Sequence, residues 1–366
     1  MKDKPLTSTI LHIGSEKAGS STIQSWLDGN REALRRSGII FPKTPGILTH
    51  AALAAYALGE QDSRHLQSIY KINPSNFWTE FPRALLKEVR KSGATKVVLT
   101  NEHCSSFLRD KECVEKLIEL LERFSSKITV IYYVRRQDEF WISKYSTDVI
   151  VGETQPLTFP EGDNLYLYDY YSVANLWSSV IGRSNFIVRR FGSGYFKNNN
   201  LISDFCDAAK IEEIPEIRVN QVCRANQRLS SQQVEYLRLF NHFVPSEIDG
   251  RLNPLRGRDI GAAVSRWDGE ANPLSVPSEA VAKFSDQFSG PNELLRSQYA
   301  PNIPAPLFEF QCDSGDKHGM GELLTTRQAV EISARMWEHQ KMAMNKRTVA
   351  GVFIRAFKSA GRRIGR

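Results

Sequence analysis

The chain has 366 residues, 41% of them hydrophobic and 24% charged, with a net charge of +7, which is an ordinary composition for a globular protein and enough length for a sizeable core. Eight Lys or Arg and no Asp or Glu fall between Lys341 and Arg366, so the remainder is near neutral and its bulk charge argues for no particular anionic partner. No run approaches the roughly 18 apolar residues of a membrane span, and the five cysteines include no C-x-x-C pair, which argues against a zinc site or a disulfide framework and for reduced thiols.

In chain order, Ser8 to Ile13 is a short β-rich run, Gly14 to Gly19 a loop, and Ser20 to Arg36 carries Ile23, Trp26, Leu27 and Leu34 at helical spacing. Gly38 ends that helix, and Ile39-Ile40-Phe41 is a second strand stopped by Pro42. Phe77 to Val89 reads as a helix and Lys96 to Thr100 as a buried strand. Val114, Leu117, Ile118, Leu121 and Phe124 mark another helix. Ile128 to Val134 is apolar throughout, as a central parallel strand should be. Glu139 to Val149 and Tyr170 to Ile181 read as helices, Asn185 to Phe191 as a fifth strand, and Leu201 to Ala209 as a helix.

Beyond about Ile211 the alternation stops. Ser230 to Phe243 and Leu323 to Met344 read as helices, and the Gly-, Pro-, Asn- and Ser-rich Asp249 to Pro306 holds a helix near Ser278 to Phe288. The expected architecture is α/β: a P-loop-type central parallel sheet of about five strands flanked by helices, with a helical and irregular C-terminal part. The expected division is one domain over 1–345, with its core at 8–210 and the helical part at 211–345, and a basic tail over 346–366.

Gly14-Ser15-Glu16-Lys17-Ala18-Gly19-Ser20-Ser21-Thr22 follows a strand and opens a helix, the setting in which backbone N–H groups and a helix N-terminus cradle an anion. The spacing Gly14-x4-Gly19 fits a Walker A loop, but Ser20 stands where a nucleotide triphosphatase needs lysine, and Lys17 lies inside the loop. The bland alternative is a Gly/Ser turn capped by Ser20.

The match His12-Ile13-Gly14, Lys17-Ala18-Gly19-Ser20-Ser21-Thr22-Ile23-Gln24, Leu27 and Asn30-Arg31 resembles the PAPS-dependent sulfotransferases, especially bacterial members acting on carbohydrates. PAPS is 3′-phosphoadenosine 5′-phosphosulfate, and the product nucleotide is PAP. The resemblance implies that residues 17–22 bind the 5′-phosphosulfate, with Lys17 stabilising charge on the leaving phosphate. Ala18 departs from the family's usual Thr. Ser20, Ser21 and Thr22 remain as hydroxyl donors.

The strand Ile128 to Val134 ends in Arg135-Arg136-Gln137, and Ser143 follows Arg135 by eight residues, about two helical turns. An arginine at a strand's carboxyl end suits bidentate phosphate binding. An Arg and a Ser so spaced resemble the family's 3′-phosphate motif, which implies Arg135 and Ser143 as ligands, with Arg136 and Gln137 in reserve. The bland alternative is a pair of solvated arginines.

Sulfonate transfer needs a base for the acceptor hydroxyl. Thr100-Asn101-Glu102-His103 closes the strand Val97 to Leu99, where bacterial relatives carry a similarly placed Glu. Glu102 is the first candidate, His50 the second, and His103 the immediate neighbour of the first. His65, His242 and His339 read as surface residues. No metal is expected.

The expected activity is sulfonate transfer from PAPS to an acceptor hydroxyl of a carbohydrate or glycolipid. Pro42 to Asn76, Gly152 to Asp163 and Asp249 to Pro306 are the loops expected to shape the acceptor pocket. Competing readings are a P-loop small-molecule kinase, and a non-catalytic nucleotide- or glycan-binding protein. With no apolar signal core after Met1-Lys2-Asp3-Lys4-Pro5, a cytoplasmic location is expected. The tail places Val349, Val352, Phe353, Ala356, Phe357, Ala360 and Ile364 on one helical face among Lys and Arg, a pattern suited to peripheral contact with an anionic membrane. Nucleic acid is not an expected partner.

Overall fold

The computed structural model describes residues 7–212, 229–248, 251–253, 256, 260–269, 272–274, 276–309 and 324–341. The basic tail over 346–366, Cys223 and Cys312 lie outside them. The chain divides into two compact units: Met1–Trp141 with Pro160–Asn226 and Ala282–Gln311, and Ile142–Phe159 with Gln227–Val281 and Cys312–Arg366.

The first unit holds five parallel strands: β1 (Thr7–His12), β2 (Ile39–Ile40), β3 (Lys96–Thr100), β4 (Ser125–Val134) and β5 (Phe186–Arg190), in the order 2-3-1-4-5. The expected α/β class with a parallel five-stranded sheet is what the chain adopts. The central strand β1 sets His12 opposite Thr100 of β3 and Ile131 of β4. The carboxyl ends of β3, β1 and β4 therefore lie side by side.

Both sheet faces are covered, which is why the strands are apolar without alternation. On one face, Leu11, Val97, Leu99, Val130, Tyr132 and Val134 pack under α3 (Ala51–Leu58), α5 (Pro74–Ser92), α7 (Lys111–Glu122) and α9 (Tyr170–Ile181), whose Trp177 is fully buried. On the other, Ile10, Val98, Ile131 and Tyr133 pack under α1 (Ser20–Gly29) and α10 (Leu201–Ala208). Strand β4 starts three residues before the apolar run, because Ser125 hydrogen-bonds Thr9 inside the sheet and so satisfies its hydroxyl.

Three local expectations change. The helix expected over Ser20 to Arg36 is two, α1 and α2 (Arg31–Arg36), because Asn30 leaves helical geometry and its Nδ2 donates to the Trp26 carbonyl at 2.7 Å. Within the stretch from Pro42 to Asn76, expected to shape the acceptor pocket, α3 falls where Ala51-Ala52-Leu53 reads as a helix, and α4 (Arg64–Tyr70) is added, since Leu66 is apolar enough to be buried. A short α6 (His103–Phe107) follows β3.

The second unit contains α11 (Ser231–Phe243), which opens on a capping box between Ser230 and Gln233. The buried Arg256 gathers that unit by donating to the carbonyls of Val244 at 2.9 Å and Ile150 at 2.7 Å. Residues 326–341 are helical. The helix α8 (Gln137–Val151) begins in the first unit and carries the chain into the second.

Candidate functional site

The loop after β1 is held from three sides. Ser15 N–H donates to the Tyr133 carbonyl at 2.8 Å, Asn101 N–H donates to the His12 carbonyl at 2.9 Å, and Ser105 Oγ donates to the Gly14 carbonyl at 2.6 Å. Gly14 has to be glycine, since a Cβ there would lie 2.8 Å from His12 Nε2. Lys17 takes a φ of 61° and Gly19 a φ of 82°, the left-handed region. Those two turns swing the chain into α1 with Gly19 as N-cap.

That N-terminus has no side-chain cap and no acidic residue in its first turn. The first amides and the positive end of the helix dipole are thus presented for an anion. Buried polar atoms at the loop, Ser20 Oγ and His12 Nε2 among them, have no hydrogen-bond partner. An anionic group fits this cradle, because it supplies acceptors that the fold itself does not. Ser21 is exposed and Thr22 half-buried, while Ala18 is fully buried in the core under α1. The Cβ of residue 18 therefore serves packing.

Arg135, at the end of β4, is 3% exposed. Its Nη1 donates to the Lys17 carbonyl at 2.9 Å and its Nε to Glu139 Oε2 at 3.1 Å, while its own carbonyl accepts from Tyr170 Oη at 2.7 Å. The two motifs read from sequence thus meet. The guanidinium braces the Lys17 backbone from the neighbouring strand. Its neighbours take other parts. Arg136 pairs with Asp138 at 2.7 Å, and Gln137 is buried in a reciprocal amide pair with Asn292. Ser143 lies on α8, half-buried, in the second unit.

At the end of β3, Glu102 precedes α6 and its Oε2 accepts from Gln24 Nε2 of α1 at 2.8 Å. Gln24 is one turn beyond Ser20, so the carboxylate stands beside the anion cradle. His103 points elsewhere, as neighbouring side chains at a helix start must. Its Nε2 is 2.8 Å from Tyr70 Oη of α4, and its Nδ1 is 3.7 Å from Glu16 Oε1 in the loop. Burial would raise the Glu16 pKa, but His103, Ser106 and Lys17 together hold it below its ordinary value.

His50 is fully buried, stacked on Phe41 with ring centroids 4.4 Å apart, and its Nδ1 accepts from Thr100 N–H at 3.3 Å. Burial lowers its pKa to about 3, assisted by the charge of Arg31 and opposed by the Pro42 carbonyl. Burial likewise lowers His12 to about 3. His65 and His242 are exposed and His339 is half-buried.

Glu16, Gln24, Tyr70, Ser105 and Arg135's hold on the loop backbone were not legible as site features. Of these, Glu16 stood within the loop motif and Gln24 within the loop-to-helix match, and the others carried no signal. No group of His, Cys, Asp and Glu among the described residues is arranged to hold a metal. No described helix is long and apolar enough to cross a membrane.

No protein-family model matches the sequence. An uncharacterised protein of Archaeoglobus fulgidus is 27% identical over 170 residues, which cover 46% of this chain and 45% of that protein. The match thus spans less than half the length of that curated relative. Among solved structures, a sulfotransferase domain from the curacin biosynthetic pathway is similar at 13% identity and a TM-score of 0.34, over 78% of this chain and 98% of that one. A sulfotransferase domain from the Synechococcus PCC 7002 olefin synthase is similar at 11% identity and 0.31, over 79% and 96%. At these scores neither likeness assigns an activity to this chain.

Proposed function

We propose that this chain is a sulfotransferase that moves a sulfonate group from PAPS to an acceptor hydroxyl, on a carbohydrate or glycolipid. The observation that carries the reading is the meeting of three strand ends. The uncapped anion loop of β1, the Glu102 carboxylate after β3 and the Arg135 brace after β4 all belong to adjacent strands. When bound, PAPS supplies an activated sulfonate on a phosphate leaving group.

The residues divide the work. Lys17 and the first amides of α1 hold the anion and offset the negative charge that develops on it, which is typically the largest contribution a site can make. Arg135 fixes the Lys17 backbone through its 2.9 Å bond. Glu102 takes the acceptor's proton on Oε1, since Gln24 occupies Oε2. His50, whose Nδ1 is committed and whose ring is buried, is read as structural.

The test is incubation with sulfur-labelled PAPS and extracted glycans, glycolipids and small phenols, together with calorimetry of PAP. Label in an acceptor and measurable PAP affinity are expected. ATP turnover with magnesium and indifference to PAP would transfer the site to a kinase. PAP binding that survives Glu102→Gln, with no transfer by either form, would make it a non-catalytic binding protein.

A further inference from the structure

Large apolar side chains scattered singly over a surface carry no meaning, but a contiguous group of them marks a contact. Such a group lies within the second unit. Leu239 and Phe243 of α11 are 41% and 86% exposed, and Val330 and Trp337 of the helix over 326–341 are 63% and 64% exposed. Leu239 and Phe243 are one turn apart, Val330 and Trp337 two turns, so each pair shares one face of its helix. The two faces meet. Tyr236 precedes Phe243 by two turns and shares its face, and Tyr236 Oη is 2.9 Å from Ser333 Oγ. Ser333 lies between Val330 and Trp337, within a turn of each. Phe240 stacks on Tyr236 with ring centroids 6.1 Å apart. The apolar surface therefore runs from Phe243 across the Tyr236–Ser333 contact to Trp337.

Its charge points one way. Glu235, Glu331 and Glu338, the acidic residues of these two helices, are each paired with an arginine of the same helix: Arg238 at 2.7 Å, Arg327 at 3.0 Å and Arg335 at 3.1 Å. The ammonium of Lys341 stands over the Trp337 ring, 5.0 Å from its centroid. Lys341 is also the first of the eight Lys or Arg that reach to Arg366 with no Asp or Glu among them. The chain thus leaves this apolar surface directly into its basic tail, whose residues lie outside the described ones.

We infer that this face of the second unit, with the basic tail that leaves it, docks on an anionic lipid bilayer. A bilayer surface presents both things the face calls for: an apolar interior for Phe243, Val330 and Trp337, and negative headgroups for the cations. Trp and Tyr suit that boundary, since each has an apolar body and a polar tip. The docking is independent of the sulfotransferase reading, and neither stands or falls with the other.

The full chain is sedimented with vesicles of phosphatidylcholine alone and of equimolar phosphatidylcholine and phosphatidylglycerol. It should pellet with the anionic vesicles and remain in solution with the neutral ones. Phe243→Ser with Trp337→Ser should weaken that binding about tenfold or more, the value of two apolar side chains partly buried. Leu239→Ser with Val330→Ser, at the same surface, should weaken it in the same direction. Both pairs should keep the parent's urea midpoint, because the replaced side chains already face water. Arg362→Gln with Arg363→Gln should weaken binding about fivefold for each charge removed. Parent chain that stays in solution with anionic vesicles overturns the inference. So does equal binding to neutral vesicles, or binding that both serine pairs leave unchanged. Parent chain that self-associates without lipid, and is returned to monomer by the serine pairs, would mean that a second copy covers this face, and that too overturns it.

Discussion

The guanidinium of Arg135 donates to the carbonyl oxygen of Lys17 at 2.9 Å, joining the ends of two adjacent parallel strands. The two residues are 118 positions apart. The bond fixes the backbone of the one lysine inside the anion loop, at a residue that already occupies the left-handed region.

Arg135→Lys should therefore weaken PAP binding without abolishing the fold. The variant keeps a charge but loses the fork that reaches both Lys17 and Glu139. A hydrogen bond from a charged donor is worth about 1.5–3 kcal/mol, so affinity should fall roughly tenfold to a hundredfold. Calorimetry of PAP decides it. Unchanged affinity would mean that the brace has no bearing on the loop.

Gly19→Ala tests the turn into α1. An added Cβ would lie 2.5 Å from Leu201 Cδ2 and 2.7 Å from Phe191 Cε2, at a φ of 82°. Left-handed backbone costs a residue with a Cβ about 1–2 kcal/mol, and overpacking adds about 1–3. Urea denaturation should show a loss in that combined range. Gly162→Ala, where a Cβ meets nothing within 4 Å, should lose only the backbone part.

Glu102→Gln and His50→Ala should separate chemistry from structure. A misplaced general base typically costs 10²–10⁴ in rate, so Glu102→Gln should lose roughly that much kcat with PAP affinity kept. His50→Ala removes a buried ring from its stack on Phe41 and should cost about 2–4 kcal/mol of stability. The folded fraction should remain active. If the rate losses were exchanged between the two variants, the base would be His50.

Acid sensitivity should begin above the carboxylate range. Burial lowers His12 and His50 from 6.5 to about 3, so between those values the unfolded chain binds more protons than the folded one. Stability is then unaffected above about pH 6.5 and falls as pH drops toward 3, with a limiting slope of about 1.4 kcal/mol per pH unit for each histidine. Glu16, held below its ordinary value, adds its loss only at lower pH, as its carboxylate takes up a proton. Urea midpoints between pH 7 and 5 should fall in the parent and fall about half as steeply in His12→Gln, where His50 alone remains. A flat parent profile over that interval would contradict the burial of both rings.

Much of the local structure was readable before any coordinate. The runs at Lys96 to Thr100 and Tyr170 to Ile181 became elements with those bounds, because one apolar period dominates each. Asn30 was not recognised as a break, since a side chain that competes for a carbonyl leaves no mark on periodicity. His50 and His103 looked alike as loop histidines. Burial under Phe41 sets one apart, and a tyrosine 33 positions away orients the other.

What the sequence determined alone is the strand, the glycine-framed loop with Lys17, the helix behind it and the α/β alternation, because each depends on residues within a turn or two of one another. The order 2-3-1-4-5, the brace from Arg135 and the different partners of Glu102 and His103 were decided only by the tertiary structure. Strand neighbours are chosen by packing both sheet faces at once. That packing, rather than any spacing along the chain, places the ends of β3, β1 and β4 around one cradle.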